Sequence, residues 1–153
     1  LNLPVEVYSL ELEVVADHPA ASRFDPTMLR ALARHVLTAE GVIGDRLVTV
    51  ALVDDEALRG LHDRFMNTPT VTDVMTFPYQ PDLAGSGTTG GDIVISLDRA
   101  WEQGPRHGLD GQRETLFLFV HGLLHLTGWD DATPPQRTAM LRRQEELLES
   151  FER

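Results

Sequence analysis

The stretch that most constrains this chain runs from residue 111 to 127, GQRETLFLFVHGLLHLT. Almost everything in it after Thr115 is apolar, yet His121 and His125 interrupt the run. A helix that is apolar around its whole circumference is buried, so the segment predicts a central helix around which the other elements pack. Gly128 is expected to stop it, as glycine commonly does past a helix C-terminus. On a helix, residues i and i+4 lie one above the other with Cβ atoms about 5–6 Å apart. The two imidazoles therefore share one face, at a separation that lets both bind a single ion at about 2.0–2.1 Å each.

A third ligand has to come from chain that turns back over the histidines. Gly128 allows that turn because glycine accepts a positive φ at little cost. The stretch HGLLHLTGWDD (121–131) has the layout H-x3-H-x2-G-x2-D. This is the long zinc-peptidase pattern H-E-x-x-H-x-x-G-x-x-H with aspartate in place of the last histidine and Gly122 in place of the glutamate. Aspartate is an accepted zinc ligand. Losing the glutamate removes the usual general base of a zinc peptidase, which weighs against peptidase chemistry. The spacing selects Asp131 as the third ligand, while Asp130 could cap the following turn or orient a ligating histidine. A bland alternative is a pair of satisfied core histidines, but the glycine and aspartate at matching offsets favour a metal. His18, His35, His62 and His107 show no comparable grouping and read as ordinary. Zinc held by three protein ligands keeps a position for water and lowers its pKa toward about 7. Hydrolysis of a phosphodiester or a carbonyl is the reaction class this implies.

With 153 residues and 42% hydrophobic content, the chain fits one soluble domain, residues 1–153. No apolar run approaches the roughly 18 residues of a membrane span, and the first residues lack the layout of a secretory leader. The absence of cysteine excludes disulfides, thiolate zinc sites and cysteine nucleophiles, and fits a cytoplasmic protein. The net charge is −11, and the 13 basic residues are all arginine. An acidic chain is a poor general binder of nucleic acid, since phosphate contacts need local positive charge. An RNA role would thus need a local arginine patch or a metal.

Along the chain, residues 3–15 read as a strand from partial alternation and valine content. Residues 25–41 read as a helix with Asp25 as N-cap and Pro26 in the first position. Residues 46–53 read as a strand, 54–65 as a helix with acidic residues at its start, and 73–77 as a short strand ended by Pro78. Residues 80–91, rich in Gly, Ser and Pro, read as a loop, and 92–97 as a strand. The final helix is capped by Thr133, with Met140, Leu147, Leu148 and Phe151 on one face. The sum is an α+β domain of about four strands and about five helices.

HGLLHLTGWDD closely resembles the H-G-x-L-H-L-x-G-Y-D-H signature of the YbeY family of bacterial rRNA maturation factors and metal-dependent endoribonucleases. Trp129 stands for the family's tyrosine, Asp130 matches its aspartate, and Asp131 stands for its last histidine, which supports Asp131 as the ligand. TDVMTFPY (72–79) resembles the family's T-D-V-L-S-F-P block, GGDIVIS (90–96) its G-D-I-x-I-S strand, and EALRGLHDRFM (56–66) the helix before T-D-V. The blocks agree in order and spacing over about residues 45–152. The histidine block is highly specific and the others moderately so. The resemblance implies a small mixed sheet beside helices, shaped like the zinc peptidases. It also implies zinc or a related divalent ion such as nickel, and single-strand endoribonuclease activity in small-subunit rRNA maturation and ribosome quality control. The partners it implies are the small ribosomal subunit, a small-subunit ribosomal protein and an assembly GTPase.

One departure bears on activity. Where the family has tyrosine, arginine, one residue, lysine, aspartate, this chain reads FMNTP (65–69). Met66 thus stands for an arginine that the resemblance implies in RNA cleavage. Methionine can neither bind phosphate bidentately nor stabilise developing charge. Arg64 is two residues away and points to another helix face. A non-catalytic assembly factor with a structural metal is therefore a second reading, and a zinc peptidase a third. With no glutamate after His121, Asp130 and Asp73 are the candidates for handling protons, although Asp73 also fits a strand-edge residue bonding backbone amides. Arg137, Arg142 and Arg143 read as a solvated helix face paired with Glu145 and Glu146, with a phosphate-facing patch as the alternative.

Overall fold

The computed structural model describes residues 8–66, 73–79 and 89–153, without the side chains of Phe65, Met66 and Thr89. Strand β1 (Tyr8–Ala16) alternates, with Tyr8, Leu10 and Leu12 inward and Ser9, Glu11 and Glu13 outward. That period of two lets one sheet face join the core while the other stays polar. A short 3-10 turn (Pro19–Arg23) leads into helix α1 (Pro26–Ala39). Asp25 caps α1 by accepting from the Thr27 N–H at 2.9 Å, and Pro26 occupies the first turn. Strand β2 (Gly44–Val53) then runs parallel to β1, and helix α2 (Asp55–Met66) follows.

Strand β3 (Val74–Pro78) and strand β4 (Thr89–Ser96) pair antiparallel, while β4 pairs parallel with β2. The four strands lie in the order β1-β2-β4-β3, a mixed sheet. Helix α3 (Leu97–Gln103), a second 3-10 turn (Gly104–His107), helix α4 (Gly111–Leu126) and helix α5 (Pro134–Glu152) complete the described chain. Together these make the expected α+β fold of four strands and five helices.

Helix α4 lies at the centre. Phe119, Val120, Leu123 and Leu124 are fully buried in one core cluster with Val48, Val50, Ile93 and Ile95 of the sheet and Leu32 and Val36 of α1. Burying a side chain of this size is worth about 1.5–3 kcal/mol, so the apolar run of α4 dominates the fold, as its sequence implies. On the opposite sheet face, Leu58 of α2 packs with Val53, Met75 and Val94. Helix α5 is clasped at its start by a reciprocal pair, in which Thr133 Oγ1 accepts from the Gln136 N–H and Gln136 Oε1 accepts from the Thr133 N–H.

Two elements, β4 and α3, differ from expectation. Residues 3–7 of the first predicted strand and residues 80–88 of the predicted loop lie outside the described residues. Thr89, Gly90 and Gly91, read from sequence as loop, belong to β4. Their glycines serve close approach: a Cβ on Gly90 would sit 1.9 Å from the Leu47 carbonyl oxygen, and one on Gly91 would sit 2.6 Å from Leu126 Cδ2. Helix α3 was not assigned from sequence. It is only seven residues long, and Ser96 caps it by accepting from the Arg99 N–H at 3.2 Å.

Candidate metal centre

His121 and His125 stand one turn apart on α4, with their Nε2 atoms 3.0 Å from each other. Past the helix end, Gly128 adopts φ +109°, and the Trp129 N–H returns to the Leu124 carbonyl at 3.0 Å. This turn brings Asp131 back over the helix, as the glycine spacing predicts, and places its Oδ2 3.4 Å from both Nε2 atoms. The three ligand atoms lie within 4.8 Å of one another.

Hydrogen bonds on the far side of each ring decide what those atoms present. The His125 Nδ1–H donates to the Trp129 carbonyl at 3.0 Å, and the His121 Nδ1–H donates to Gln144 Oε1 at 2.9 Å. A neutral imidazole carries one N–H, so both Nε2 atoms face the centre as lone pairs, beside a carboxylate oxygen. Three converging lone-pair donors repel unless a cation sits among them. Two imidazoles and one carboxylate also suit zinc and its borderline neighbours. The residues present therefore fit a divalent transition metal. Burial pushes the His121 pKa down, partly offset by Gln144 and by the Asp131 and Asp73 carboxylates, which favours the neutral ring that a metal needs.

Asp130 takes the other course. Its Oδ1 accepts from the Asp131 N–H at 2.8 Å, and the side chain is exposed. The two aspartates are thus separated by geometry, one turned to the histidines and one to the local backbone.

The histidines and Asp131 form one end of a cleft of about 790 Å³, whose other lining residues are His62, Asp73 and the whole of β3 from Val74 to Pro78. Asp73, one of the sequence candidates for handling protons, borders this cleft, and Asp130 does not. Sequence spacing missed His62 as a cleft residue, because it comes from α2, about 60 residues before the paired histidines and with no motif to link it. His18, His35 and His107 lie elsewhere, bonded to Asp98, Ser150 and Glu114. Arg143 pairs with Glu40 at 2.7 Å and Glu146 at 3.2 Å, and Arg137 reaches the Asp131 carbonyl at 3.4 Å. These two arginines brace the helix surface and the turn rather than a phosphate patch.

Gly122, where a peptidase would carry its glutamate, faces the sheet. A Cβ there would lie 2.7 Å from Ile93 Cγ2. The glycine lets α4 lie close against β4, and a carboxylate at this position would enter the core.

The family description Endoribonuclease YbeY matches residues 16–152. A protein from Pelotomaculum thermopropionicum named Endoribonuclease YbeY is 36% identical over 150 residues, covering 95% of each chain. One of the same name from Thermobifida fusca is 39% identical over 135 residues, covering 84% of this chain and 87% of its own. The solution structure of a target protein from Thermotoga maritima superposes with a TM-score of 0.64 at 24% identity, covering 92% of this chain and 89% of its own, which is a likeness of fold. Matched over residues 16–152 by the family description and over 95% of its length by a relative 36% identical to it, this chain belongs to the endoribonuclease YbeY family.

Proposed function

We propose that the protein is a metal-dependent hydrolase, a single-strand endoribonuclease acting in small-subunit rRNA maturation and ribosome quality control in the cytoplasm. The observation that carries this reading is the convergence of His121 Nε2, His125 Nε2 and Asp131 Oδ2 at the end of an open cleft, in a chain whose relatives are named endoribonucleases. Zinc is the ion that the donor set favours, with nickel as a neighbour in chemistry. When bound, the ion supplies Lewis acidity where a phosphodiester would lie. The chain's own part is to hold and orient. Gln144 and the Trp129 carbonyl fix the two rings, and Arg137 steadies the carbonyls of Asp131 and Ala132. Asp73 is our candidate for taking or giving a proton, because it borders the cleft while Asp130 Oδ1 accepts from the Asp131 N–H. The small ribosomal subunit, one of its proteins and an assembly GTPase are the partners of this reading. No described helix is long and apolar enough to cross a membrane.

Cleavage of small-subunit rRNA by highly purified protein, with and without zinc, tests this beside a His121→Ala/His125→Ala double variant. Metal-dependent cleavage that disappears in the variant supports the reading. Equal traces in both preparations sink it.

A second reading is a non-catalytic assembly factor with a structural metal. It is favoured by Met66 at the family's arginine position and by the absence of arginine among the described residues of the cleft. The peptidase reading loses ground because position 122 faces the sheet.

A further inference from the structure

We propose that Gln144, on α5, is a positioning residue of the metal centre. It sets which nitrogen of His121 meets the ion, an inference that rests on the metal-centre reading above. Gln144 is 1% exposed. A buried amide is costly unless both its ends are bonded, and here both are. Its Nε2 donates to the Phe117 carbonyl at 3.3 Å, and its Oε1 accepts from the His121 Nδ1–H at 2.9 Å.

The order of these bonds is forced. A carbonyl only accepts, so the amide end facing Phe117 must be the NH2 group. The end facing His121 is then the oxygen, and an oxygen can only receive a proton from Nδ1. His121 is thereby held with its proton on Nδ1 and its lone pair on Nε2, aimed at His125 Nε2 and Asp131 Oδ2. Without that acceptor, a neutral histidine ring tends to carry its proton on Nε2, where it would oppose a metal. For His125 the same service comes from the Trp129 backbone carbonyl, which no side-chain change removes. The choice for His121 is instead written in one side chain, 23 residues away on another helix. Because Gln144 is neutral, it orients the ring without placing a buried negative charge behind His121.

Two variants separate positioning from packing. Gln144→Met keeps the bulk and removes the acceptor. Gln144→Glu keeps an acceptor and adds a buried charge, which costs stability in the metal-free protein. Zinc affinity, read by competition with a chromophoric chelator, is expected to weaken about 10–100-fold in Gln144→Met. In Gln144→Glu it should stay within a few-fold of the unaltered protein, even though metal-free Gln144→Glu melts at the lower temperature. Long-range 15N NMR of the zinc-loaded unaltered protein should find the His121 proton on Nδ1. Wild-type zinc affinity in Gln144→Met, or affinity that simply tracks melting temperature across both variants, overturns the proposal. Zinc bound through His121 Nδ1 overturns it without any variant. An unaltered protein that binds no zinc removes the metal-centre reading and this proposal together, whereas the other failures leave that reading standing.

Discussion

Trp129 Nε1 donates to Glu40 Oε2 at 3.0 Å, while Arg143 binds the other oxygen of Glu40 at 2.7 Å. Through this bond the end of α1 holds the turn whose carbonyl orients His125. Trp129→Phe removes the donor and keeps an aromatic ring. It should cost about 1 kcal/mol of stability and weaken zinc binding a few-fold. Urea denaturation of the metal-free protein and chelator competition measure the two effects. A variant indistinguishable from the unaltered protein in both would show that the turn stands without Glu40.

The two adjacent aspartates should separate cleanly. Asp131→Asn deprives the ion of a charged ligand, so its affinity should fall by more than the roughly 10–100-fold typical of losing an orienting partner. Asp130→Ala loses only the bond to the Asp131 N–H. It should cost on the order of 1 kcal/mol of stability with zinc affinity nearly kept. The reverse order of affinities would exchange the roles.

Activity should depend on Asp73. If it handles a proton, Asp73→Asn should slow cleavage by about 10²–10⁴-fold while zinc affinity stays within a few-fold. Unchanged cleavage by a zinc-loaded Asp73→Asn protein would remove Asp73 from the chemistry.

Gly122→Ala brings a methyl group to 2.7 Å from Ile93 Cγ2 and 3.0 Å from its Cγ1 and Cδ1. Overpacking of this kind costs about 1–3 kcal/mol. Ile93→Ala in the same chain should recover part of the loss, because the two residues share one space. Equilibrium denaturation of the single and double variants reads the coupling, and strict additivity would mean that α4 shifts freely instead.

Acid should act through Asp98. The hydrogen bond with His18, joined by one from the Asp55 N–H, holds its carboxyl below the usual carboxylate range. The unfolded chain therefore takes up this proton at a higher pH than the folded one. The stabilisation is complete above the ordinary aspartate pKa and is lost as pH falls through the lower folded value. Melting temperature below about pH 4 should fall less steeply in Asp98→Asn than in the unaltered protein. Parallel curves would show that the bond persists equally in the unfolded chain.

How much was legible beforehand follows from the range of each interaction. The caps of α1 and α5, the burial of α4 and the pairing of His121 with His125 depend on neighbours within a few residues, and all are visible in local spacing. The turn at Gly128 is also local, and it brings Asp131 rather than Asp130 beside the two histidines. Composition reads Thr89–Gly91 as loop because glycine usually breaks a strand, whereas these residues belong to β4. Here glycine is required by the approach of Leu47, Phe77 and Leu126, none of them adjacent in sequence.

The sequence by itself determined the helix, the spacing of His121, His125 and Asp131, and the family, since these rest on periodicity and on short motifs. Only the tertiary structure decided that His62 and Asp73 share a cleft with His121, His125 and Asp131, that Glu40 holds Trp129, that Gly122 faces Ile93, and that Gln144 reaches His121. Each of these depends on where separate elements dock. A side chain's one-dimensional pattern records which face it occupies, and not which distant group that face will meet.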